Sequence, residues 1–323
     1  MGNFDYLNGP KVVVIGGGTG LSTMLRGLKQ YTHNITAIVT VADDGGGSGV
    51  LREDLGMLPP GDIRNCILAL ANTEPTMEKL LQYRFTDGML KGQSFGNLFL
   101  AAMNGISNSF EEAVKRMSEV LAVSGKVLPV TLDDVKLKAK LKNGIVIDGE
   151  SLIPKMQLKE KSPIERIFLE PKDAMPVEEA ILDILNADGV ILGPGSLYTS
   201  IIPNLLVNGI CDAIEGSKAI KIYVCNIMTQ PGETIGYDAN AHVDALFSHG
   251  LKSLDYVIVN NAEIPYEYKD RYSEDMAQPV KYDIYGLEQK GIKVVEKDVL
   301  AIKNNYIRHD EQKLAETLMG LIE

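Results

Sequence analysis

The sequence predicts an α/β protein with a mostly parallel sheet, flanking helices and a small antiparallel β insertion. Three observations predict it. Apolar runs at 12–15 and 189–192 lack polar alternation, as strands buried on both faces require. Each run is followed by a loop of small residues and then by apolar residues at helical period, the strand–turn–helix unit of a Rossmann-like sheet. Around an Asn143-Gly144 pair the pattern changes to strict alternation, which marks antiparallel hairpins. The expected organisation is a nucleotide-binding core of residues 11–126 and 172–323, with residues 127–171 inserted.

The first strand, at 12–15, runs into Gly16-Gly17-Gly18-Thr19-Gly20-Leu21, and Leu21, Leu25 and Leu28 then recur at helical spacing. A strand, a glycine turn and a helix start put free backbone N–H groups and the positive end of a helix dipole at one spot, where a phosphate is the natural guest. Gly16 and Gly18 fit a dinucleotide fingerprint, but Leu21 stands where its third glycine belongs. No Lys-Ser/Thr pair follows, so the loop is not a P-loop. The plain alternative is a tight turn that only packs a helix on a sheet.

The second strand, at 35–42, is rich in β-branched residues and ends in Asp43-Asp44, followed by a glycine-rich acidic loop through Gly49. One acid could accept a ribose hydroxyl, and both could hold a divalent cation, Mg2+, that bridges phosphates. In Pro59-Pro-Gly-Asp62-Ile-Arg64-Asn65, Asp62 is expected to cap the next helix. Arg64 falls in that helix's first turn, where a cation needs a partner. Either an anionic ligand or a salt bridge to Asp43, Asp44 or Glu53 would supply one. A helix at 77–83 and a polar loop at 91–97, ending in Asn97, precede a helix at 98–103. Ser109 and Glu112 form a capping box for a helix that Gly125 ends.

Strands are expected at 127–130, 135–141, 145–147 and 164–169, with Asn143-Gly144 as a type I′ turn. Lys136, Lys138, Lys140 and Lys142 form a stripe that reads as a solvated face blocking edge pairing; the alternative is contact with an acidic partner. The α/β rhythm resumes with Pro176 opening a helix at 177–185 and the strand at 189–192. Gly193-Pro-Gly195-Ser196-Leu-Tyr-Thr-Ser200 is a second candidate phosphate loop. A strand at 219–225 brings Asn226 and Gln230 to its carboxyl end, and one at 256–259 ends in Asn260. A helix at 239–249 separates the two. After a strand at 292–295 comes Arg308-His309-Asp310, with Asp310 as N-cap of the last helix, 311–322.

The 323 residues carry 32 Lys+Arg against 43 Asp+Glu, a net charge of −11, which argues against binding nucleic acid or an anionic membrane. Cys66, Cys211 and Cys225 make no zinc or redox spacing and no disulfide framework, which suits a reducing cytoplasm. The four histidines are scattered, no nucleophile elbow occurs, and no apolar run approaches the ~20 residues of a membrane span. The first ten residues do not suggest a signal peptide.

The motifs at Gly16–Leu21, Val41-Ala-Asp43-Asp44-Gly45, Pro60-Gly-Asp62-Ile-Arg64-Asn65 and 193–200, in this order and spacing, resemble the bacterial gluconeogenesis factor family over about residues 11–320. That family is related to 2-phospho-L-lactate transferase, which uses a guanosine-type nucleotide donor. The resemblance implies a Rossmann-like fold, a cytoplasmic location and a regulatory role in cell shape and wall synthesis during gluconeogenic growth. It also implies binding of UDP-sugars, notably UDP-N-acetylglucosamine, and no settled catalysis. Thr19, Tyr272 and Arg308 match the family's nucleotide-contacting positions, and Asp43 and Asp44 stand where the transferase branch binds its divalent cation. Some members carry a phosphorylated threonine after the Arg-His-Asp stretch; here that position is Glu311.

The expected ligand set is Gly16, Gly17, Gly18, Thr19, Gly20 and Leu21, with Asp43, Asp44, Asp62, Arg64, Asn65 and Asn97 from the next loops. Gly193, Gly195, Ser196, Ser200, Asn226, Gln230, Asn260, Tyr272 and Arg308 complete it. The alternatives are a Mg2+-dependent nucleotide-linked phospho-transferase and an NAD-binding protein with Asp43 on the ribose. A homo-oligomer and cell-wall synthesis proteins are the expected assembly and partners.

Overall fold

A computed structural model describes residues 9–323, so most of the polar start read for a signal peptide lies outside the described residues. Its strands are β1 (Val12–Gly16), β2 (Ile35–Val39), β3 (Lys126–Pro129), β4 (Lys136–Leu141), β5 (Val146–Asp148) and β6 (Ile164–Glu170). They continue with β7 (Gly189–Leu192), β8 (Ile220–Val224), β9 (Tyr256–Asn260), β10 (Lys293–Lys297), β11 (Leu300–Lys303) and β12 (Tyr306–His309). Seven of them form one parallel sheet in the order β3-β2-β1-β7-β8-β9-β10.

Every residue of β1, β2 and β7 is buried, which is why these strands read as apolar runs without alternation. Sheet order reverses between β1 and β7, so the loops after these two strands diverge to opposite faces and leave a crevice between them. The helix Gly18–Leu28 packs against both Gly61–Leu70 and the C-terminal helix Glu311–Ile322.

Several local expectations are corrected. The glycines after Asp44 open a helix, Gly46–Leu55, in place of a loop. Leu51 is buried and anchors it, and Gly49 lies directly on the Asp44 backbone. β3 belongs to the main sheet, in parallel register with β2 (Thr36 opposite Lys126), so the antiparallel module begins after it and not at residue 127. The helix Phe110–Val120 ends at Leu121, not at Gly125, whose φ of 102° instead leads into β3 beside Ile35. The capping box is shifted: Ser109 Oγ accepts the Glu112 N–H, but the Glu112 carboxylate takes the Asn108 N–H.

The module is a β5-β4-β6 sheet with a helix, Ile153–Glu160, against it. Only Gly144 has positive φ at the hairpin, and Leu141 N–H reaches Ile145 across three residues, so the turn is not type I′. The two-residue turn with both φ positive occurs instead at Asn304-Asn305, between β11 and β12. Half of the lysine stripe is neutralised by neighbouring acids: Lys138 pairs with Asp148 and Glu170, and Lys140 with Glu165. No single helix among the described residues is long and apolar enough to cross a membrane.

Candidate functional site

A cleft of about 420 Å³ opens at the carboxyl ends of β1, β7 and β8, at the switch point of the sheet. One wall is Gly17, Gly18, Thr19 and Gly20, where the helix Gly18–Leu28 starts with neither a side-chain cap nor an acid in its first turn. The Asp62 carboxylate faces the Gly18 N–H, which leaves the Thr19 and Gly20 N–H groups as the free donors at this wall. The opposite wall is Pro194, Gly195, Ser196 and Ser200. A Cβ at Gly20 would lie 2.6 Å from the Pro194 carbonyl oxygen, so the two loops can touch only because residue 20 has no side chain.

Asn226 ties the second loop in place, donating to Gly195 O (2.8 Å) and accepting from Gly195 N (3.3 Å). Ser196 donates to Gln230 (2.8 Å), which in turn donates to Glu233 (2.8 Å). The rim comes from β12 and the helix Tyr266–Glu274. Tyr272 accepts the Ile307 N–H through its hydroxyl (3.0 Å), and the Arg308 guanidinium lies over the Tyr306 ring (5.1 Å). Arg308 makes no ion pair among the described residues and is the cleft's uncompensated cation. His309 lines the cleft as a neutral imidazole, because burial pushes its pKa down to about 4.

A smaller chamber of about 260 Å³ adjoins the cleft through Gly18, Ser196, Ser200 and Gln230, and it is lined by Asp43, Asp62, Glu150 and Glu233. Burial, and then Asp43, raise Asp62 to about 6. Burial, and then Asp43 and Glu233, raise Glu150 to about 8. Burial raises Glu233 to about 7, although Thr199 Oγ1 (2.9 Å) and Tyr198 N–H (3.0 Å) donate to it. Asp43 is also raised, chiefly by burial, while the Gly45 N–H (2.8 Å) opposes the shift. Burial raises all four acids that line this void, and for Asp43, Asp62 and Glu150 the neighbouring acids add to it.

The expected acid pair is therefore replaced. Asp44 turns away and accepts the Glu150 N–H (3.0 Å) and the Ser151 N–H (2.9 Å), so it latches the antiparallel module to the core. Asp62 is the acid beside Asp43. It does not cap its helix, whose N-cap is Pro60; its carboxylate faces the Gly18 N–H instead. Arg64 makes no salt bridge to Asp43, Asp44 or Glu53; it donates to Ser94 Oγ (3.0 Å) and Asn65 Oδ1 (2.7 Å). Leu21 is wholly buried core. Gly16 ends β1 and Gly193 follows β7, and Asn97 is buried in the first turn of the helix Phe95–Gly105. Asn260 holds backbone at Ala262 and Val299. Arg64, Asn65, Asn97 and Asn260 line neither void.

Glu150, Glu233 and His309 were not legible as site residues. A lone acid in the inserted module and a lone histidine carry no spacing signal; Glu233 had only the turn Gln230-Pro-Gly-Glu. Among the described residues, no three His, Cys, Asp or Glu side chains are placed to hold a metal by themselves.

The sequence model of 2-phospho-L-lactate transferase CofD matches residues 12–300. The gluconeogenesis factor of Bacillus subtilis is 49% identical over 316 residues, covering 97% of this chain and 98% of the relative. The chain belongs to the gluconeogenesis factor family. The Halalkalibacterium halodurans gluconeogenesis factor is 46% identical over 310 residues, covering 95% of each chain. A crystal structure from Bacillus halodurans, described as a member of the upf0052 family, superposes with a TM-score of 0.91 at 45% identity. It spans 95% of this chain and 98% of that one, and so supports the same architecture for this gluconeogenesis factor family member. The stretch matched by the transferase model includes both phosphate-type loops and the four chamber acids but stops before Arg308 and His309.

Proposed function

We propose that the cleft binds a nucleotide diphosphate sugar, UDP-N-acetylglucosamine, and that the protein is a cytoplasmic regulatory factor needed for cell shape and wall synthesis during gluconeogenic growth. The observation that carries the reading is the pair of glycine loops facing each other across about 420 Å³, with free helix N–H groups on one side and an uncompensated Arg308 at the rim. A cavity of that size suits a nucleotide-sized ligand, and both features favour a diphosphate. Thr19 offers an exposed hydroxyl beside those N–H groups. Wall-synthesis proteins are the partners this role calls for, and a homo-oligomer the assembly. Calorimetry with UDP-N-acetylglucosamine tests it; no heat of binding at millimolar ligand removes the reading. Displacement of NAD by the nucleotide sugar would demote the NAD-binding alternative.

One observation favours a second reading, a Mg2+-dependent transferase of phosphorus-containing groups. The acidic chamber shares Gly18, Ser196, Ser200 and Gln230 with the cleft between the two glycine loops. Mg2+ is commonly held by one or two carboxylates plus substrate phosphates and water, and Asp43 with Asp62 fits that pattern. Bound there, the cation would supply neutralisation of phosphate charge. The protein's own groups would orient the ligand from the two loops and exclude water with the antiparallel module. Product formation from a panel of nucleotide donors, abolished in Asp62→Asn, is the expected result; no product with any donor rejects it.

A further inference from the structure

Arg64 is a buried cation with no carboxylate in direct contact among the described residues. Only 8% of it is exposed, and among the described residues its Nε has no hydrogen-bond partner and it forms no ion pair. Its surroundings add positive potential. It sits in the uncapped first turn of the ten-residue helix Gly61–Leu70. Its Nη1 donates to the hydroxyl of Ser94, the N-cap of the eleven-residue helix Phe95–Gly105, so a second helix points its positive end at the same guanidinium. Arg84 is close enough to oppose its charge, and itself donates to the Gly92 carbonyl. The acid on its own helix, Asp62, turns its carboxylate to the Gly18 N–H and offsets Arg64 less than Arg84 opposes it. The aliphatic stem is fixed by Gly96, where a Cβ would come within 2.6 Å of Arg64 Cδ.

Burying a charge is costly unless an opposite charge answers it. Two helix N-termini and two arginines converge here against one carboxylate, Asp62, which acts on Arg64 without forming an ion pair with it. Asn65 accepts from Arg64 Nη2 (2.7 Å) through its carbonyl oxygen, which leaves its amide N–H group as one more donor at the partly exposed edge of the cluster. The group lies outside both the cleft and the acidic chamber. We propose that Arg64, with the Asn65 amide and Arg84, is a second oxyanion site, which takes the phosphoryl or carboxylate group of a small molecule. The guanidinium offers its fork, and the amide fixes the second oxygen. The site does not depend on the nucleotide-sugar reading of the main cleft.

Equilibrium dialysis with labelled inorganic phosphate and, separately, acetate at fixed ionic strength tests it. The proteins are wild type, Arg64→Met, Asn65→Ala, Arg84→Gln and Thr19→Glu. Arg64→Met keeps the stem on Gly96 and removes the fork; Thr19→Glu repels anions from the main cleft alone. The expected result is binding of one or both anions that survives Thr19→Glu and weakens about tenfold in Arg64→Met. Asn65→Ala and Arg84→Gln weaken it less, and they carry the test if Arg64→Met does not fold. Whichever anion loses binding identifies the group recognised. Wild-type binding that vanishes in Thr19→Glu and is untouched by the other three variants overturns the second site while leaving the nucleotide cleft standing. Absence of binding of either anion to the wild type overturns it as well.

Discussion

Thr19 is exposed in the first turn of the helix Gly18–Leu28, so a charge placed there is felt by any anion in the cleft. Thr19→Glu is expected to weaken nucleotide-sugar binding by about tenfold or more, with unchanged thermal stability; equal calorimetric affinities would take Thr19 out of the site. Glu233 acts through its proton. Burial raises it from 4.5 to about 7, so the folded protein holds a proton there that the unfolded chain releases. The sign follows: its contribution to stability is present at low pH and is lost as pH rises from 4.5 toward about 7. His309, lowered from 6.5 to about 4, works in the opposite direction over its own window, since the unfolded chain binds that proton more tightly. The difference between wild type and Glu233→Gln isolates the first effect. Melting temperatures measured between pH 5 and 8 should fall more steeply in the wild type than in the variant; parallel curves would mean that Glu233 is not raised.

At the scale of elements, the Asp44 latch fixes the antiparallel module to the acidic chamber. Its carboxylate takes two backbone N–H groups at Glu150 and Ser151, and Gly149 passes with φ of 110° so close that a Cβ would lie 2.7 Å from Asp44 Oδ2. Asp44→Ala is expected to cost about 2 kcal/mol and to speed amide exchange in residues 146–153, while exchange in β1 and β7 stays slow. Unchanged exchange in that stretch would show that the module is held elsewhere. Such contacts explain what the sequence did and did not reveal. Asp43-Asp44 was visible as an acidic pair after β2, but the chain turns one carboxylate into the chamber and the other onto the module, and only the three-dimensional path of Gly149–Ser151 decides which. The glycines at 45–49 read as a loop because their helix is fixed by Leu51 burial and by close packing on Asp44, not by propensity. The same holds for the turns: Asn143-Gly144 carries the stronger local pattern, yet the paired positive φ values belong to Asn304-Asn305.

For the whole molecule, the parallel order of the sheet was legible because β1 and β7 are buried on both faces and each is followed by a loop of small residues. The chamber was not, since Glu150 and Glu233 arrive from distant segments and acquire meaning only beside Asp43 and Asp62. The two halves of the sheet meet at the β1/β7 switch point, and there the loops they carry are in backbone contact at Gly20 and Pro194. A methyl at residue 20 meets a carbonyl oxygen at 2.6 Å and the carbonyl carbon at 2.9 Å, backbone atoms that no rotamer change can relieve. Gly20→Ala must push one loop away from the other. That overpacking is expected to cost about 1–3 kcal/mol, or several degrees of melting temperature. It should also widen the cradle so that both phosphate walls can no longer reach one diphosphate. Thr19→Glu, one residue away, alters charge without moving backbone. If the cleft works by the two loops closing on one ligand, Gly20→Ala loses stability and binding together, while Thr19→Glu loses binding alone. Thermal unfolding and calorimetry on the pair decide it: a Gly20→Ala protein that melts and binds like the wild type would mean that the contact between the loops does not shape the cleft.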